Sequence, residues 1–487
     1  MAGSPSEKFR AIIVGGGVAG LVASHTFFKA GIDHVVLERG SEAAPPTGAS
    51  IAIYPHGARI LQQLGMLEQT KAIADPLEDG ATNRWPDGSP VQWSDLWRFV
   101  RENHGAELML LERRGYLEVL WQNLPDKSKV LFNKKVADIV EDDDGVEVFL
   151  SDGTSERGDI VIGADGVHST VREKMWERAN RLEPGIIDVK EKKAITTQWK
   201  CLLGFGPGEP QMKNELSVVY NKGYSFLLGT QPRRCFYFVF QRVKEPWTRY
   251  NRPRYTQEDA AKMAAEVADM PVSETMVFGE LWRRRWRGAV VDIEEGVLSR
   301  WYYGRTVLVG DTAHKITPNL ALGGNSGMES VVVLTNLLHS ILTSHSPSKP
   351  SHDALTKVFQ SYQDQRLPRM RQIMEFSRLI SRTQAWDNWI LKMLSIWVLP
   401  YLPQRKLAND LGEIIRKAPM LDFVPLGDWK KGLMEWEDMK DEKEAKKDGV
   451  TSNVLKSLPV SSLWAALLVG LLFGGLGGSA LVSRLAI

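Results

Sequence analysis

Residues 9–20 read FRAIIVGGGVAG, an apolar run rich in β-formers that ends in a cluster of glycines. Three of these glycines fit the pattern G-x-G-x-x-G, namely Gly15, Gly17 and Gly20. In that pattern the first glycine permits a tight turn and the second lets a pyrophosphate approach the backbone. The third lets the following helix pack closely on the strand. The pattern predicts a turn between a strand and a helix that binds a nucleotide.

The residues on either side support this prediction. Residues 18–29 carry apolar side chains at helical spacing, and residues 34–38, HVVLE, form a second apolar run that ends in Glu38. A carboxylate at this distance from the glycines is typical of one that binds ribose hydroxyls. The first forty residues therefore predict a βαβ unit of a nucleotide-binding fold. This unit alone does not distinguish FAD from NAD.

The composition excludes several classes of protein. The chain has 487 residues, of which 43% are hydrophobic and 25% charged, with a formal net charge of +2. This length can bury a large core in more than one domain, and the charge gives no case for nucleic-acid binding. Cys201 and Cys235 have no neighbours at metal-ligand or redox spacing. We expect no metal site and no disulfide framework, and a reducing compartment for the body.

The C-terminal end predicts a membrane anchor. No charged residue lies between Lys456 and Arg484, and residues 460–482 read VSSLWAALLVGLLFGGLGGSALV. About 20 apolar residues in a helix span the hydrocarbon core of a bilayer, although a buried core helix is the alternative. Three lysines precede this stretch and one arginine follows it, which places the body in the cytosol. We expect a single-pass C-terminal anchor, in the endoplasmic reticulum membrane. The glycines at 470, 474 and 478 have G-x-x-x-G spacing, which indicates either helix pairing or only a small-residue span.

The remaining chain divides into segments of different character. Alternating apolar patterns over about 190–285 predict an antiparallel sheet, which we assign to a substrate domain. Residues 387–401, DNWILKMLSIWVLPY, are rich in Trp and Leu; they indicate either a helix in the membrane interface or a packed helix. The predicted architecture is an α/β Rossmann-type nucleotide-binding fold, an FAD-binding fold by the two motifs quoted next, with an antiparallel-sheet substrate domain, a helical C-terminal region and a C-terminal transmembrane helix. Its predicted parts are 1–189 and 299–382 (FAD-binding domain), 190–298 (substrate domain), 383–455 (helical region and charged linker) and 456–487 (transmembrane tail).

Two further motifs identify the nucleotide as FAD. Residues 159–172 read DIVIGADGVHSTVR, and residues 305–330 read RTVLVGDTAHKITPNLALGGNSGMES. Together with the glycine motif, their order and spacing resemble the flavoprotein aromatic hydroxylases. The resemblance implies that Asp165 lies in the second FAD motif, and that Asp311 contacts the ribityl chain. As plain structure, Asp165 and Gly166 would form a turn and Ser169 would cap a helix.

Within this superfamily the chain is most similar to one group. Residues 47–65, residues 110–120 and the apolar C-terminus resemble the fungal FAD-dependent monooxygenases of meroterpenoid and indole-diterpene pathways. The resemblance implies epoxidation of the terminal olefin of a prenyl chain, which a separate membrane terpene cyclase then opens. The FAD contacts that it implies are Glu38, Ala52, Arg113, Asp311 and Gly324. Because Arg114 follows Arg113 directly, either arginine could correspond to the FAD-contacting arginine of the family. Leu322 and Gly324 stand where relatives commonly have Gln and Ala.

The resemblance also implies the course of the reaction. NADPH or NADH reduces the flavin, O2 is captured as a C4a-hydroperoxide, and one oxygen atom passes to the substrate. No second G-x-G-x-x-G follows, so we expect the nicotinamide cofactor to bind without a Rossmann domain of its own. His314 is either a proton relay or a structural hydrogen-bonding residue. Tyr220 either hydrogen-bonds oxygen or substrate, or only covers the sheet.

Two other functions remain open from the sequence. An aromatic ring hydroxylase on the same scaffold would need a basic group for a phenolate or carboxylate. A flavin-binding accessory subunit of a membrane pathway would bind FAD without consuming NADPH. An apolar tail favours a lipophilic prenylated substrate, since such a molecule partitions into the bilayer.

Overall fold

The computed structural model describes residues 8–46, 48–78, 80–345 and 348–439. The strands, in chain order, are β1 (Arg10–Val14), β2 (Asp33–Leu37), β3 (Ser50–Ile53), β4 (Ala81–Arg84), β5 (Pro90–Ser94), β6 (Met109–Glu112), β7 (Val130–Leu131), β8 (Val136–Glu141), β9 (Val146–Leu150), β10 (Ser155–Gly158), β11 (Ile160–Gly163), β12 (Thr196–Pro207), β13 (Leu216–Tyr220), β14 (Tyr224–Thr230), β15 (Arg234–Trp247), β16 (Arg287–Val297), β17 (Tyr302–Tyr303), β18 (Thr306–Leu308) and β19 (His314–Lys315).

The helices follow the same numbering. They are α1 (Val18–Lys29), α2 (Pro55–Leu64), α3 (Leu67–Ile73), α4 (Leu96–His104), α5 (Arg113–Gln122), α6 (Thr170–Leu182), α7 (Val189–Lys192), α8 (Gln257–Glu266), α9 (Phe278–Arg283), α10 (Gly323–His345), α11 (His352–Gln384), α12 (Trp389–Trp397) and α13 (Gln404–Arg416). Short 3-10 turns occur at Lys127–Lys129, Gly310–Thr312, Pro318–Leu320 and Leu399–Tyr401.

A six-stranded sheet carries the nucleotide-binding half, in the order β17-β18-β11-β1-β2-β7. From β18 across to β7, all four pairs of neighbouring strands are parallel. Only β17, at the edge, pairs antiparallel with its neighbour β18. Parallel strands are covered by helices on both faces and therefore read as continuous apolar runs, as the buried Ile and Val residues of β1 and β11 do. The predicted βαβ unit is confirmed as β1, α1 and β2.

An eight-stranded sheet forms the second layer, in the order β19-β16-β12-β15-β14-β13-β4-β5. Its centre is the predicted antiparallel sheet, in which β12 and β15 pair from Thr197 to Pro207. Two strands come from much earlier in the chain, because β4 pairs with β13 in parallel and β5 pairs with β4. The substrate sheet thus extends beyond the segment 190–298 in which the sequence placed it.

The C-terminal part of the described chain is helical, as predicted. No helix of the described residues is long and apolar enough to cross a membrane. The predicted transmembrane tail, 456–487, lies outside the described residues.

The last described residues pack against α2. The guanidinium group of Arg59, which is 1% exposed, forms an ion pair with Asp438 at 2.6 Å and lies 4.0 Å from the ring centroid of Trp436. Gln63 donates a hydrogen bond of 2.8 Å to the carbonyl of Leu421 and accepts one of 2.9 Å from its N–H. These contacts attach the chain near residue 438 to the nucleotide-binding half.

Candidate active site

A cavity of about 360 Å³ lies where the two sheets meet the first turns of α1 and α10. All three sequence motifs contribute to its wall. The glycine motif supplies Gly17, Val18 and Ala19, the second motif Ala164 and Gly166, and the third motif and α10 supply Asp311, Lys315, Pro318 and Gly324. The eight-stranded sheet closes the other side with Leu216, Leu227, Gly229, Phe236 and Phe238. The cavity therefore joins the predicted FAD motifs to the predicted substrate sheet.

The glycine loop can be built only with glycine at two positions. Gly15 has φ +109°, and a Cβ there would lie 2.5 Å from the carbonyl oxygen of Ala164. A Cβ on Gly20 would lie 1.8 Å from the carbonyl oxygen of Gly15, so α1 packs directly on the loop. At Gly17, by contrast, a Cβ would meet no atom within 4 Å. Gly17 is also the N-cap of α1 and provides no side-chain cap, so the first N–H groups of the helix, at residues that line the cavity, have no capping side chain.

Glu38 holds the glycine loop in place. Its carboxylate accepts hydrogen bonds of 2.6 Å from the N–H groups of Gly16 and Gly40. The side chain lies beside the glycine loop, outside the cavity wall. Its predicted contact with ribose hydroxyls stays a prediction.

The second motif is tied to the third through buried polar groups. Asp165 accepts hydrogen bonds from the hydroxyl of Ser169 and from two N–H groups at the start of α6, while the Ser169 hydroxyl accepts from the Arg172 N–H. Burial raises the pKa of Asp165, although these hydrogen bonds oppose the rise. The Arg172 guanidinium donates to the carbonyl of Thr312 at 2.8 Å. Asp165 thus shapes the loop from behind, while its neighbours Ala164 and Gly166 line the cavity.

The third motif places an ion pair in the cavity wall. Asp311 accepts a hydrogen bond from the ammonium group of Lys315, and both residues line the cavity. Burial opposes the charge of Lys315, but Asp311 raises its pKa above the usual range. Arg113 also lines the cavity, whereas Arg114 forms a surface ion pair with Glu118 at 3.1 Å. Of the two arginines, Arg113 is therefore the one that lines the cavity, and its contact with FAD stays a prediction.

A buried amide fixes the start of α10 against β3. The Asn325 side chain donates to the carbonyl of Ala52 at 2.9 Å and accepts from the N–H of Tyr54 at 3.1 Å. Both Ala52 and Gly324 line the cavity, and a Cβ on Gly324 would lie 2.7 Å from Cδ1 of Ile51. Asn325 lies within the third motif but was not among the predicted site residues. An amide directly after two glycines at a helix start was the signal that could have revealed it.

We expect Asn325→Leu to weaken FAD binding by about tenfold or more. The substitution leaves two buried backbone groups without partners, at about 1–3 kcal/mol for an unsatisfied group, and it frees β3 from α10. FAD titration followed by flavin fluorescence measures the effect. Asn336→Leu is the matched control on the same helix, because Asn336 bonds to the carbonyl of Met420 rather than to a cavity element. Equal FAD affinity in the two variants would contradict the assigned role.

The two predicted catalytic residues lie outside the cavity wall. His314 is 1% exposed, its Nε2 lies 2.9 Å from the Ser330 hydroxyl, and burial lowers its pKa to about 3. Tyr220 is 5% exposed and stacks on Trp386 with ring centroids 6.4 Å apart. Their catalytic roles stay predictions; the contacts described are those of packed residues.

Two aromatic residues line the cavity although they were not among the predicted site residues. Tyr54 donates to the carbonyl of Leu320 at 2.8 Å and so holds the turn after Thr317. Trp97 packs edge-on against Tyr54, with ring centroids 6.0 Å apart. Trp97 belongs to α4, a segment in which the sequence carries no motif.

The described residues fit a bound FAD. The uncapped start of α1, with open space beside Gly17, suits a pyrophosphate. The glycine-rich start of α10 brings a second helix N-terminus to the same cavity, where it favours negative charge on a flavin ring.

Comparisons with known proteins agree with this fit. The profile of the family described as FAD binding domain matches residues 8–377. The FAD-dependent monooxygenase DEP2 of Alternaria brassicicola is 38% identical over 436 residues, which cover 89% of this chain and 82% of the relative. The FAD-dependent monooxygenase ausM of Penicillium brasilianum is 36% identical over 421 residues, covering 86% and 88%.

A solved structure shares the fold. The crystal structure of Klebsiella pneumoniae HpxO complexed with FAD and uric acid superposes with a TM-score of 0.69 at 21% identity, over 84% of this chain and 97% of that chain. At this identity the likeness establishes the fold, and the family match and the fungal relatives establish the class. The chain belongs to the FAD binding domain family, and it is an FAD-dependent monooxygenase.

Proposed function

We propose that this monooxygenase uses NADPH or NADH and O2 to epoxidise the terminal olefin of a prenyl chain in a meroterpenoid or indole-diterpene intermediate. The observation that carries the proposal is the distribution of charge in the cavity. Among the described residues of its wall, Arg113, Asp311 and Lys315 are charged; Asp311 and Lys315 belong to the third FAD motif, and Arg113 is one of the FAD contacts that the resemblance implies.

The part of the wall that the eight-stranded sheet supplies is apolar. Strands β13, β14 and β15 supply only aliphatic, aromatic and glycine residues to it, and Trp97, Leu108 and Leu110 continue this surface. A prenyl chain has no polar group to satisfy, so an apolar wall can bury it without leaving unpaired donors or acceptors. A phenolate or carboxylate substrate would need a basic group beside it, and the sheet residues of this wall provide none; the basic groups of the cavity, Arg113 and Lys315, are assigned to FAD and to the ion pair with Asp311.

The overall reaction consumes one olefin, O2, NADPH and a proton, and yields an epoxide, water and NADP+. When bound, FAD would supply the activation of O2 and the transfer of one oxygen atom to the olefin. The residues of this chain would bind FAD and the substrate and orient them toward each other. The start of α10 faces the flavin site, Tyr54 and Asn325 hold that helix and its turn in place, and the apolar wall excludes water.

The predicted cellular setting is part of the proposal. A C-terminal anchor in the endoplasmic reticulum, with the catalytic body in the cytosol, would hold the cavity beside a substrate that partitions into lipid. A membrane terpene cyclase that opens the epoxide would catalyse the next reaction of the pathway.

The decisive test is product formation by the full chain in detergent. Farnesyl- and geranylgeranyl-substituted aromatics are offered with NADPH, and product mass and NADPH oxidation are recorded. We expect a product heavier by one oxygen and NADPH loss that depends on the substrate. Oxygen on the ring instead of the prenyl chain would favour the aromatic hydroxylase. Bound flavin with no NADPH consumption for any substrate would favour an accessory subunit.

One variant tests the apolar wall itself. We expect Leu227→Gln to lower kcat/KM for the prenylated substrate by about 10–100-fold, because an unpaired amide beside an apolar chain costs about 1–3 kcal/mol. FAD content should not change, since Leu227 lies on β14, away from the FAD motifs. Leu182→Gln, at a side chain 57% exposed on the surface, is the control. Unchanged kcat/KM in Leu227→Gln would place the prenyl chain elsewhere.

A further inference from the structure

Helix α12 presents an unusually apolar surface. Trp389 is 75% exposed, Ile390 49% and Met393 46%, and the turn that follows ends at Tyr401, which is 70% exposed. Ser395 is the only buried residue of the helix. An amphipathic helix of a soluble protein buries its apolar stripe; α12 leaves Trp389, Ile390 and Met393 at the surface, and its other large apolar side chains are only half-buried.

The charge of this segment is also unusual. Between residues 389 and 401 the sequence WILKMLSIWVLPY contains a single charged side chain, Lys392. Trp and Tyr next to a lysine are the residues enriched where protein meets the headgroup region of a bilayer. A long lysine side chain can reach anionic headgroups while its neighbours enter the acyl boundary.

The helix is held in a fixed position on the body. Trp386, at φ +43°, redirects the chain between α11 and α12. Its ring stacks on Tyr220, and its indole N–H donates to the Ser395 hydroxyl at 2.7 Å. A non-glycine residue in the left-handed region persists only where its surroundings hold it. The exposed apolar face is therefore a defined surface of the fold.

Hydrogen bonds connect both ends of this segment to the surroundings of the cavity. One partner lines the cavity, and the other lies close in sequence to a lining residue. At the first end, Gln384 accepts a hydrogen bond of 2.7 Å from Asn319, a residue of the cavity wall. At the other end, Gln404 accepts 2.8 Å from the N–H of Asp95, two residues before Trp97. The residues that flank the apolar surface are thus hydrogen-bonded to Asn319 of the cavity wall and to Asp95, near Trp97.

We propose that α12 and the turn to Tyr401, the interfacial segment, lie in the headgroup–acyl boundary of a lipid bilayer, so that a lipophilic substrate reaches the cavity from the membrane. The inference rests on the proposed function, because a prenylated substrate supplies the reason for lipid access and the predicted anchor keeps the body near a bilayer. Tethering raises the effective concentration of a weak binding surface at its target.

The test measures depth at one residue of the full chain. Ile390→Cys is labelled with a nitroxide in nanodiscs of phosphatidylcholine and phosphatidylserine; the native Cys201 and Cys235 are buried, which disfavours their labelling. Collisions with O2, which concentrates in hydrocarbon, are compared with collisions with a water-soluble nickel chelate. Val140→Cys, an apolar residue of β8 that is 51% exposed, is the matched control.

We expect the label at 390 to favour O2 over nickel by at least several-fold, and the label at 140 to do the reverse. Equal exposure of both labels to nickel would overturn the proposal, even if the enzyme epoxidises a prenyl chain. A label at 390 shielded from both reagents, or nitroxide pairs coupled between two chains, would also overturn it, because a protein surface would then cover the helix. Lipid contact at 390 without epoxidation would leave the interfacial segment in place and remove the prenyl substrate.

Discussion

Replacing Glu329 by glutamine is expected to lower the free energy of unfolding by about 3–5 kcal/mol, the effect typical of removing one partner from a buried ion pair. Glu329 is fully buried on α10, with Arg366 at 2.6 Å and Arg369 at 2.8 Å. Burial alone would raise the pKa of Glu329, but the two guanidinium groups lower it below its usual range. The substitution keeps the shape and removes the charge, so Arg366, itself 1% exposed, remains in the core without its counter-ion.

Denaturant unfolding of the FAD-saturated full chain at pH 7.5 measures this loss. Glu118→Gln is the control, since the Arg114–Glu118 pair at 3.1 Å is nearly half exposed on both sides and such pairs contribute about 0–1 kcal/mol. A loss below 1 kcal/mol in Glu329→Gln would show that the buried site does not require a carboxylate. FAD affinity should fall as well, because Arg366 also donates to the carbonyl of Ser326 at the start of α10.

Stability is expected to fall by about 3 kcal/mol between pH 6.5 and pH 5 from two buried histidines alone. Burial lowers the pKa of His314 to about 3 and that of His56 to about 4, against 6.5 in an unfolded chain. Between these values the unfolded chain binds the proton and the folded chain does not. Acidification therefore favours unfolding, by about 1.4 kcal/mol per pH unit for each histidine. The contribution is fully present above pH 6.5 and decreases as the pH falls toward 4.

Unfolding free energies at pH 7.5, 6.0 and 5.0 give the slope. His314→Gln should reduce the slope by about one proton, whatever its effect on stability at pH 7.5. His352→Gln, at an exposed site in the first turn of α11, should leave it unchanged. A slope that is the same in all three proteins would mean that His314 titrates equally in the folded and unfolded chains.

The elements that the sequence predicted well are those in which local pattern and tertiary role agree. The glycine motif and the apolar runs around it predicted β1, α1 and β2, and the alternating pattern over about 190–285 predicted the antiparallel strands β12, β14 and β15. The position of each strand within its sheet was harder to predict from the sequence. Strands β4 and β5 belong to the substrate sheet because β4 pairs with Leu216–Val219, and no local pattern encodes a partner so far along the chain.

The same distinction applies to the cavity. Residues of the three motifs could be assigned to it because their spacing is constrained by the ligand. Trp97 and Leu227 line the cavity only because the fold brings α4 and β14 to it, so they could not be found without the fold. His314 and Tyr220 show the opposite case, in which a residue beside a motif or on the predicted sheet lies behind the wall.

The pairing of distant strands has a consequence for biosynthesis. Leu216 pairs with Ala81, which is 216 − 81 = 135 residues earlier, and Arg59 meets Asp438 across 379 residues. Contacts between such distant positions form slowly, because the entropy cost of closing a long loop precedes the contacts that stabilise it. The early strands leave the ribosome long before their partners exist, and their apolar faces are open to aggregation in the meantime. We expect this enzyme to complete its fold only after nearly all of the chain has emerged, and to depend on chaperones during that interval.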